Sequence, residues 1–115
     1  MQINVAFSGV AVSAINPARA FYGRFFGRGP DIVATEEEVM WQLTDSAWLY
    51  VVVDGTRAGS SLVTMAVEDL DTALAELEVR SVTVEQLEEM DAGRKATVRD
   101  PDGNTVAVIE VFARR

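Results

Sequence analysis

Arg99-Asp100-Pro101-Asp102-Gly103-Asn104-Thr105-Val106-Ala107-Val108-Ile109-Glu110-Val111 couples a tight turn to a long apolar strand. Pro101 presets φ for the first corner of the turn and Asp102 tolerates the second. Gly103 supplies a positive φ where other residues would strain. The run from Thr105 to Val111 has almost no polar interruption, the pattern of a strand buried on both faces. Glu110 is the one acid within it. Alternation sets it opposite Ala107 and Ile109, toward a helix or the strand's fraying end, where it pairs with an Arg or reaches solvent.

Working back from this strand, the chain repeats itself. Val12-Ser13-Ala14-Ile15-Asn16-Pro17-Ala18-Arg19-Ala20-Phe21-Tyr22 lies over Val67-Glu68-Asp69-Leu70-Asp71-Thr72-Ala73-Leu74-Ala75-Glu76-Leu77 at an offset of 55 residues. Each segment follows a strand-like run and opens a helix. Asn16 is expected to cap the first, with Pro17 in its first turn, and Asp69 or Asp71 to cap the second. Ala18, Phe21, Tyr22 and Phe25 recur at helical spacing, as do Leu70, Ala73, Leu74 and Leu77. Strand-like runs follow at 31–35, 39–43 and 47–53, then at 81–86, 95–99 and 105–112. Each half thus reads strand-helix-strand-strand-strand. Neither half can bury a helix face and a sheet face alone, so the two pack together as one domain, with modules over 1–57 and 58–115.

The chain has 115 residues, a net charge of −8 and no His or Cys. Nucleic-acid binding needs clustered positive charge, so nucleic acid is not an expected partner. An acidic field concentrates cationic ligands instead. No apolar run approaches the ~20 residues of a membrane span, so no membrane partner is expected. The first residues lack a secretory pattern, and a cytoplasmic location is expected. Without His or Cys a nucleophilic triad is impossible, and no catalytic residue is assigned. Gly27-Arg28-Gly29-Pro30 ends a helix rather than opening one, so it is no phosphate cradle. Glu36-Glu37-Glu38 and Glu88-Glu89-Met90-Asp91 read as solvated hairpin tips, an acidic rim in each half.

The Asp-Pro-Asp-Gly-Asn turn before a last strand resembles the glyoxalase/bleomycin-resistance/dioxygenase superfamily, the vicinal-oxygen-chelate fold. Val12, Ala18, Phe21, Tyr22 and Phe26-Gly27 match its first-helix pattern, and Val67-Glu68-Asp69 matches in the second copy. The resemblance covers nearly the whole chain. It implies an α+β fold in which two βαβββ modules form a cup-shaped mixed β-sheet with helices outside. It also implies a homodimer, with each pocket built between halves of different chains.

In metal-using relatives the first and last strands of each half carry the ligands. Transferred to this sequence, those positions are Phe7, Leu62, Ala107 and Val52, with Tyr50 as an alternative to Val52. Divalent cations require imidazole, thiolate or carboxylate donors, and none of these side chains supplies one. No metal and no cofactor is therefore expected. The floor becomes apolar and aromatic instead. Phe7, Trp41, Trp48, Tyr50, Val52, Leu62, Thr64, Thr105, Ala107 and Ile109 are the expected ligand-binding residues, with Gly9, Ala11 and Leu43 on the same face. One ring face buried against a ligand contributes ~1–2 kcal/mol at roughly 25 cal/mol per Å². The expected function is sequestration of an aromatic or cationic small molecule, as antibiotic-resistance relatives perform. The rival readings are a lyase or dioxygenase holding its metal through carboxylates, a metal-free isomerase, and a degenerate regulatory paralogue.

Overall fold

The computed structural model describes residues 1–112, and in it each half builds one sheet covered by one helix. The first half comprises β1 (Ala6–Val12), α1 (Ile15–Phe26), β2 (Ile32–Thr35), β3 (Glu38–Thr44) and β4 (Ala47–Val53). The second comprises β5 (Leu62–Ala66), α2 (Leu70–Val79), β6 (Gln86–Met90), β7 (Gly93–Arg99) and β8 (Thr105–Val111). Sheet order is β1-β4-β3-β2 in one half and β5-β8-β7-β6 in the other, the same topology twice. The first strand of each half runs parallel to the last, and every other pairing is antiparallel. This is the α+β, two-module architecture the repeat implies.

The helical stripe behaves as its spacing requires. Ala18, Phe21, Tyr22 and Phe25 are buried from α1, and Leu70 and Leu77 from α2. They meet alternate residues of the sheets, including Val10, Val12, Leu49 and Val51 in the first half and Val98, Val106 and Val108 in the second. Gly27 ends α1 in the left-handed region (φ 76°), which only glycine adopts without cost.

Three local expectations need correction. Asn16 does not cap α1: the helix begins two residues earlier than that cap would set, at Ile15, Ala14 holds the cap position, and no side chain caps it. Asp69 does cap α2, accepting the Thr72 backbone N–H at 3.2 Å. In the second half the strand expected at 81–86 forms instead at Gln86–Met90. Val82 and Val84 pack on the core from a loop, while the polar Glu88 and Glu89 lie in the edge strand, 3.7 Å from Lys95 and Arg94. An edge strand with charged residues has little apolar alternation to reveal it. The Glu88-Glu89-Met90 stretch is therefore not a hairpin tip. Glu110 does face the helix side, and its Oε1 accepts the Leu70 backbone N–H at 2.8 Å, satisfying a donor at the start of α2.

The two halves are tied along β1 and β5 by the Asp100–Asn104 turn. Gly103 N–H closes it onto the Asp100 carbonyl at 2.9 Å. Asn104 is wholly buried and reaches both modules. Its Oδ1 accepts the Ser61 N–H at 2.8 Å, and its Nδ2 donates to the Ala11 carbonyl and to Asp100 Oδ2, both at 2.8 Å. Tyr22 of α1 donates its hydroxyl to the same Asp100 oxygen at 2.9 Å. Ser61 Oγ in turn accepts the Ala11 N–H at 3.0 Å.

Burial, with the Asp100 carboxylate beside it, pushes the Tyr22 phenol well above its ordinary range. The unfolded chain releases that proton near pH 10, whereas the folded chain holds it. The Tyr22 contribution is thus complete below pH 10 and falls away as the pH rises beyond it. Stability measured by urea unfolding is expected to decline more steeply between pH 9 and 11 in the wild type than in Tyr22→Phe. Equal slopes would remove the buried phenol as the cause.

Candidate functional site

β1 and β4 lie side by side with Phe7 opposite Trp48, Gly9 opposite Tyr50 and Ala11 opposite Val52. These six residues point away from α1, because the intervening Val10, Leu49 and Val51 are the ones buried beneath it. The Phe7 and Trp48 rings stack with centroids 6.1 Å apart and planes 25° apart. Phe7 nevertheless keeps 55% of its surface exposed, so the pair presents an aromatic face to solvent.

The Tyr50 ring lies across Gly9. A Cβ at position 9 would come within 2.5 Å of Tyr50 Cζ, so only glycine admits the ring in this pose. Beyond it, the strand rows and the Asp54–Ser61 linker enclose a cleft of about 400 Å³. Gly9, Ala11, Tyr50 and Val52 form its floor, and Asp54, Arg57 and Ser61 its rim. Asp54 donates its backbone N–H to the Val12 carbonyl at 2.9 Å, anchoring the linker to β1. Its Oδ2 lies 3.6 Å from Nε of Arg57, whose side chain is 82% exposed. The arrangement combines a ring and small apolar residues on the floor with a carboxylate at the mouth, which accepts the Arg57 backbone N–H at 3.3 Å and pairs with that residue's solvent-exposed guanidinium.

The second sheet places its residues in matching rows, with Leu62 opposite Thr105, Thr64 opposite Ala107 and Ala66 opposite Ile109. They too point away from the helix, since Val63, Val106 and Val108 are buried on the other side. The neighbouring strand adds Lys95, Thr97 and Arg99 to this face. Arg99 Nη1 donates to Thr105 Oγ1 at 2.8 Å and to the Gly103 carbonyl. Ala107 is almost fully buried, whereas Leu62 is 75% exposed. This half of the floor is more polar than the aromatic first half.

Trp41 corrects the expected set. It faces α1, fully buried, with ring centroids 5.5 Å from Phe26 and 6.1 Å from Tyr22. Its Nε1 donates to the Arg28 carbonyl at 3.0 Å. The cause is an irregularity between Gln42 and Thr44. Thr44 pairs with Ala47 beside the hairpin, and an unbroken ladder from there would set Trp41 against Tyr50. The extra residue shifts the register by one, so Met40 opposes Tyr50 and Trp41 opposes Leu49. Leu43 likewise packs toward the core. Sequence reasoning did not single out Asp54, Arg57 or Ser61. They sit on a linker, where no periodicity tells which way a side chain turns.

The resemblance sets the metal positions at Phe7, Leu62, Ala107 and Val52, with Tyr50 as the alternative to Val52. Tyr50 stands opposite Gly9 as Ala107 stands opposite Thr64, so the register makes Tyr50 the counterpart of Ala107, and all five lie on strands at the helix-free faces. None of these five is an imidazole, thiolate or carboxylate, and among the described residues no group of three or more Asp or Glu gathers to replace them. The residues present do not fit a divalent ion at that centre.

Among the described residues no helix is long and apolar enough to cross a membrane. No protein-family model matches the chain, and no curated protein sequence matches it. Solved structures do. A glyoxalase/bleomycin resistance protein from Catenulispora acidiphila DSM 44928 is 37% identical, covering 96% of this chain and 100% of that one, with a TM-score of 0.90. A glyoxalase/bleomycin resistance protein from Streptomyces sp. CB03234 is 26% identical over 90% of this chain and 97% of that one (TM-score 0.69). An antibiotic-binding protein from the same Streptomyces is 23% identical over 97% of each chain (TM-score 0.74), a likeness of fold. The two-module topology and the identity with the Catenulispora protein along its whole length place this chain in the glyoxalase/bleomycin resistance protein family, of the vicinal-oxygen-chelate superfamily.

Proposed function

We propose that the protein sequesters a planar aromatic, cationic small molecule on the helix-free face of its first sheet, without a metal. The cleft floored by Gly9 and Tyr50 carries this reading, flanked by the stacked Phe7 and Trp48 rings and rimmed by Asp54. A flat ligand gains apolar burial on the rings, and its positive charge takes the Asp54 carboxylate in place of Arg57. The net charge of −8 raises the local concentration of such a ligand. An antibiotic-binding protein of the same fold is consistent with this use of the face. The chain is further proposed to pair as a homodimer through the exposed apolar rows that include Phe7 and Leu62. Light scattering would then report about 25 kDa, twice the 12.5 kDa chain.

Tryptophan fluorescence tests the binding. Bleomycin-type and planar aromatic cationic antibiotics are expected to quench with saturation at micromolar concentration. Trp48 is half-buried on the binding face and Trp41 is buried beneath α1, so Trp41→Phe retains the titration and Trp48→Phe loses most of it. Silence across the panel from folded protein, or stoichiometric zinc, iron, manganese or nickel in protein purified without chelator, would overturn the proposal.

A further inference from the structure

Arg28, Arg57, Arg94, Lys95 and Arg99 each lie within 2.6–3.7 Å of a carboxylate oxygen. Among the described residues Arg19, Arg24 and Arg80 form no such pair, and all three line one shallow depression around the end of α1. In a chain with 18 acids against 10 bases, this clustering runs against the overall balance. No acid lines the depression itself.

The guanidiniums there are partly organised in advance. Arg80 Nη1 donates to the Phe25 carbonyl at 3.1 Å, and the group lies so close over Gly27 that a Cβ there would meet Cζ at 2.5 Å. Arg28 is fixed by Asp31 and by the Gln42 carbonyl. Arg19 and Arg24 extend from the exposed side of α1. The carbonyls at the helix end are already engaged: Gly23 O accepts from Gly27 and Arg28, and Phe25 O from Arg80, which reduces their repulsion of an anion.

An apolar crease of about 380 Å³ adjoins the depression and shares Arg80 with it. Phe26, Met65, Leu77 and Val108 line it between α1 and α2, with Glu76 as the acid on its rim. Its volume falls within the range of small-molecule sites. Cationic surface continuous with an apolar crease selects for a ligand with both an anionic head and an apolar tail. We propose that this back face is a second binding site, for a small amphipathic carboxylate. Its tail lies between the helices, and its head group meets Arg80 with Arg24 and Arg19, away from Glu76. The site lies on the helix side of the sheets and does not depend on the proposed use of the opposite face.

Decanoate is the probe, followed by backbone amide chemical shifts in the full chain. Saturable shifts are expected at Phe25–Gly29 and Leu77–Arg80, with Gly9 and Val52 unmoved. Arg19→Gln/Arg24→Gln, which alters only exposed side chains, is expected to weaken decanoate at least fivefold. Decanol and decyltrimethylammonium are expected to bind more weakly still. Shifts confined to Gly9, Tyr50 and Val52, no saturable shift, equal binding of decyltrimethylammonium, or unchanged affinity in the double variant would each overturn the second site. None of these outcomes bears on antibiotic quenching of Trp48.

Discussion

Asn104→Ala is expected to remove about 3–5 kcal/mol of stability, a large part of the roughly 5–15 kcal/mol a domain possesses. The side chain makes three hydrogen bonds inside the protein, and truncation leaves the Ser61 N–H and the Ala11 carbonyl facing a void. Each buried group so orphaned costs about 1–3 kcal/mol, and Asp100 also loses a donor. With a urea slope of about 1–2 kcal/mol/M, the unfolding midpoint should fall by about 2 M or more. Asp102→Ala is the contrast within the same turn: it removes only the exposed bond from the Ser13 N–H, and the midpoint should move by less than a quarter as much. A midpoint for Asn104→Ala close to that of Asp102→Ala would refute the turn as the tie between modules.

This turn also marks where the sequence stops being informative. Its local geometry was legible, because Pro101 and Gly103 dictate backbone angles by themselves, and Gly103 does take φ 87°. Its role as a clamp was not. Asn104 meets Ala11, 93 residues away, and Ser61, 43 residues away, and no local pattern encodes those partners. The repeat was legible for a related reason: helical stripes and apolar strands are short-range periodicities. Both halves accordingly show the same strand order.

Periodicity failed where a single residue changed the count. The irregularity beside Gln42 moved Trp41 from the ligand face to the core, although the hairpin turn itself was placed correctly. Strand β6 escaped for the opposite reason, since an edge strand that pairs Glu88 and Glu89 with Lys95 and Arg94 carries a charge pattern in place of an apolar one. Of the ten expected ligand-facing residues, the nine other than Trp41 do lie in rows on helix-free faces. Which of them border a cleft depends on the path of the linker, which brings Asp54 and Arg57 to its rim and carries no periodicity that encodes this.

Gly9→Val is expected to weaken binding of a planar cationic ligand at least tenfold, or about 1.4 kcal/mol. The new Cβ and its methyl groups would occupy the space of the Tyr50 ring, which a bare Cβ alone approaches to 2.5 Å. The ring must then swing off β1, and the cleft it floors is the nearest space to receive it. Folding should suffer little, because the face is open enough for the ring to move and valine favours strand geometry where glycine does not. The Tyr50→Ala change separates steric displacement from mere loss of ring contact. If displacement is the cause, Gly9→Val costs far less affinity in the Tyr50→Ala background than in the wild type, a coupling that independent sites would not show. Wild-type affinity in a folded Gly9→Val variant would place the ligand elsewhere on the molecule, because no ligand can share this floor with a displaced tyrosine.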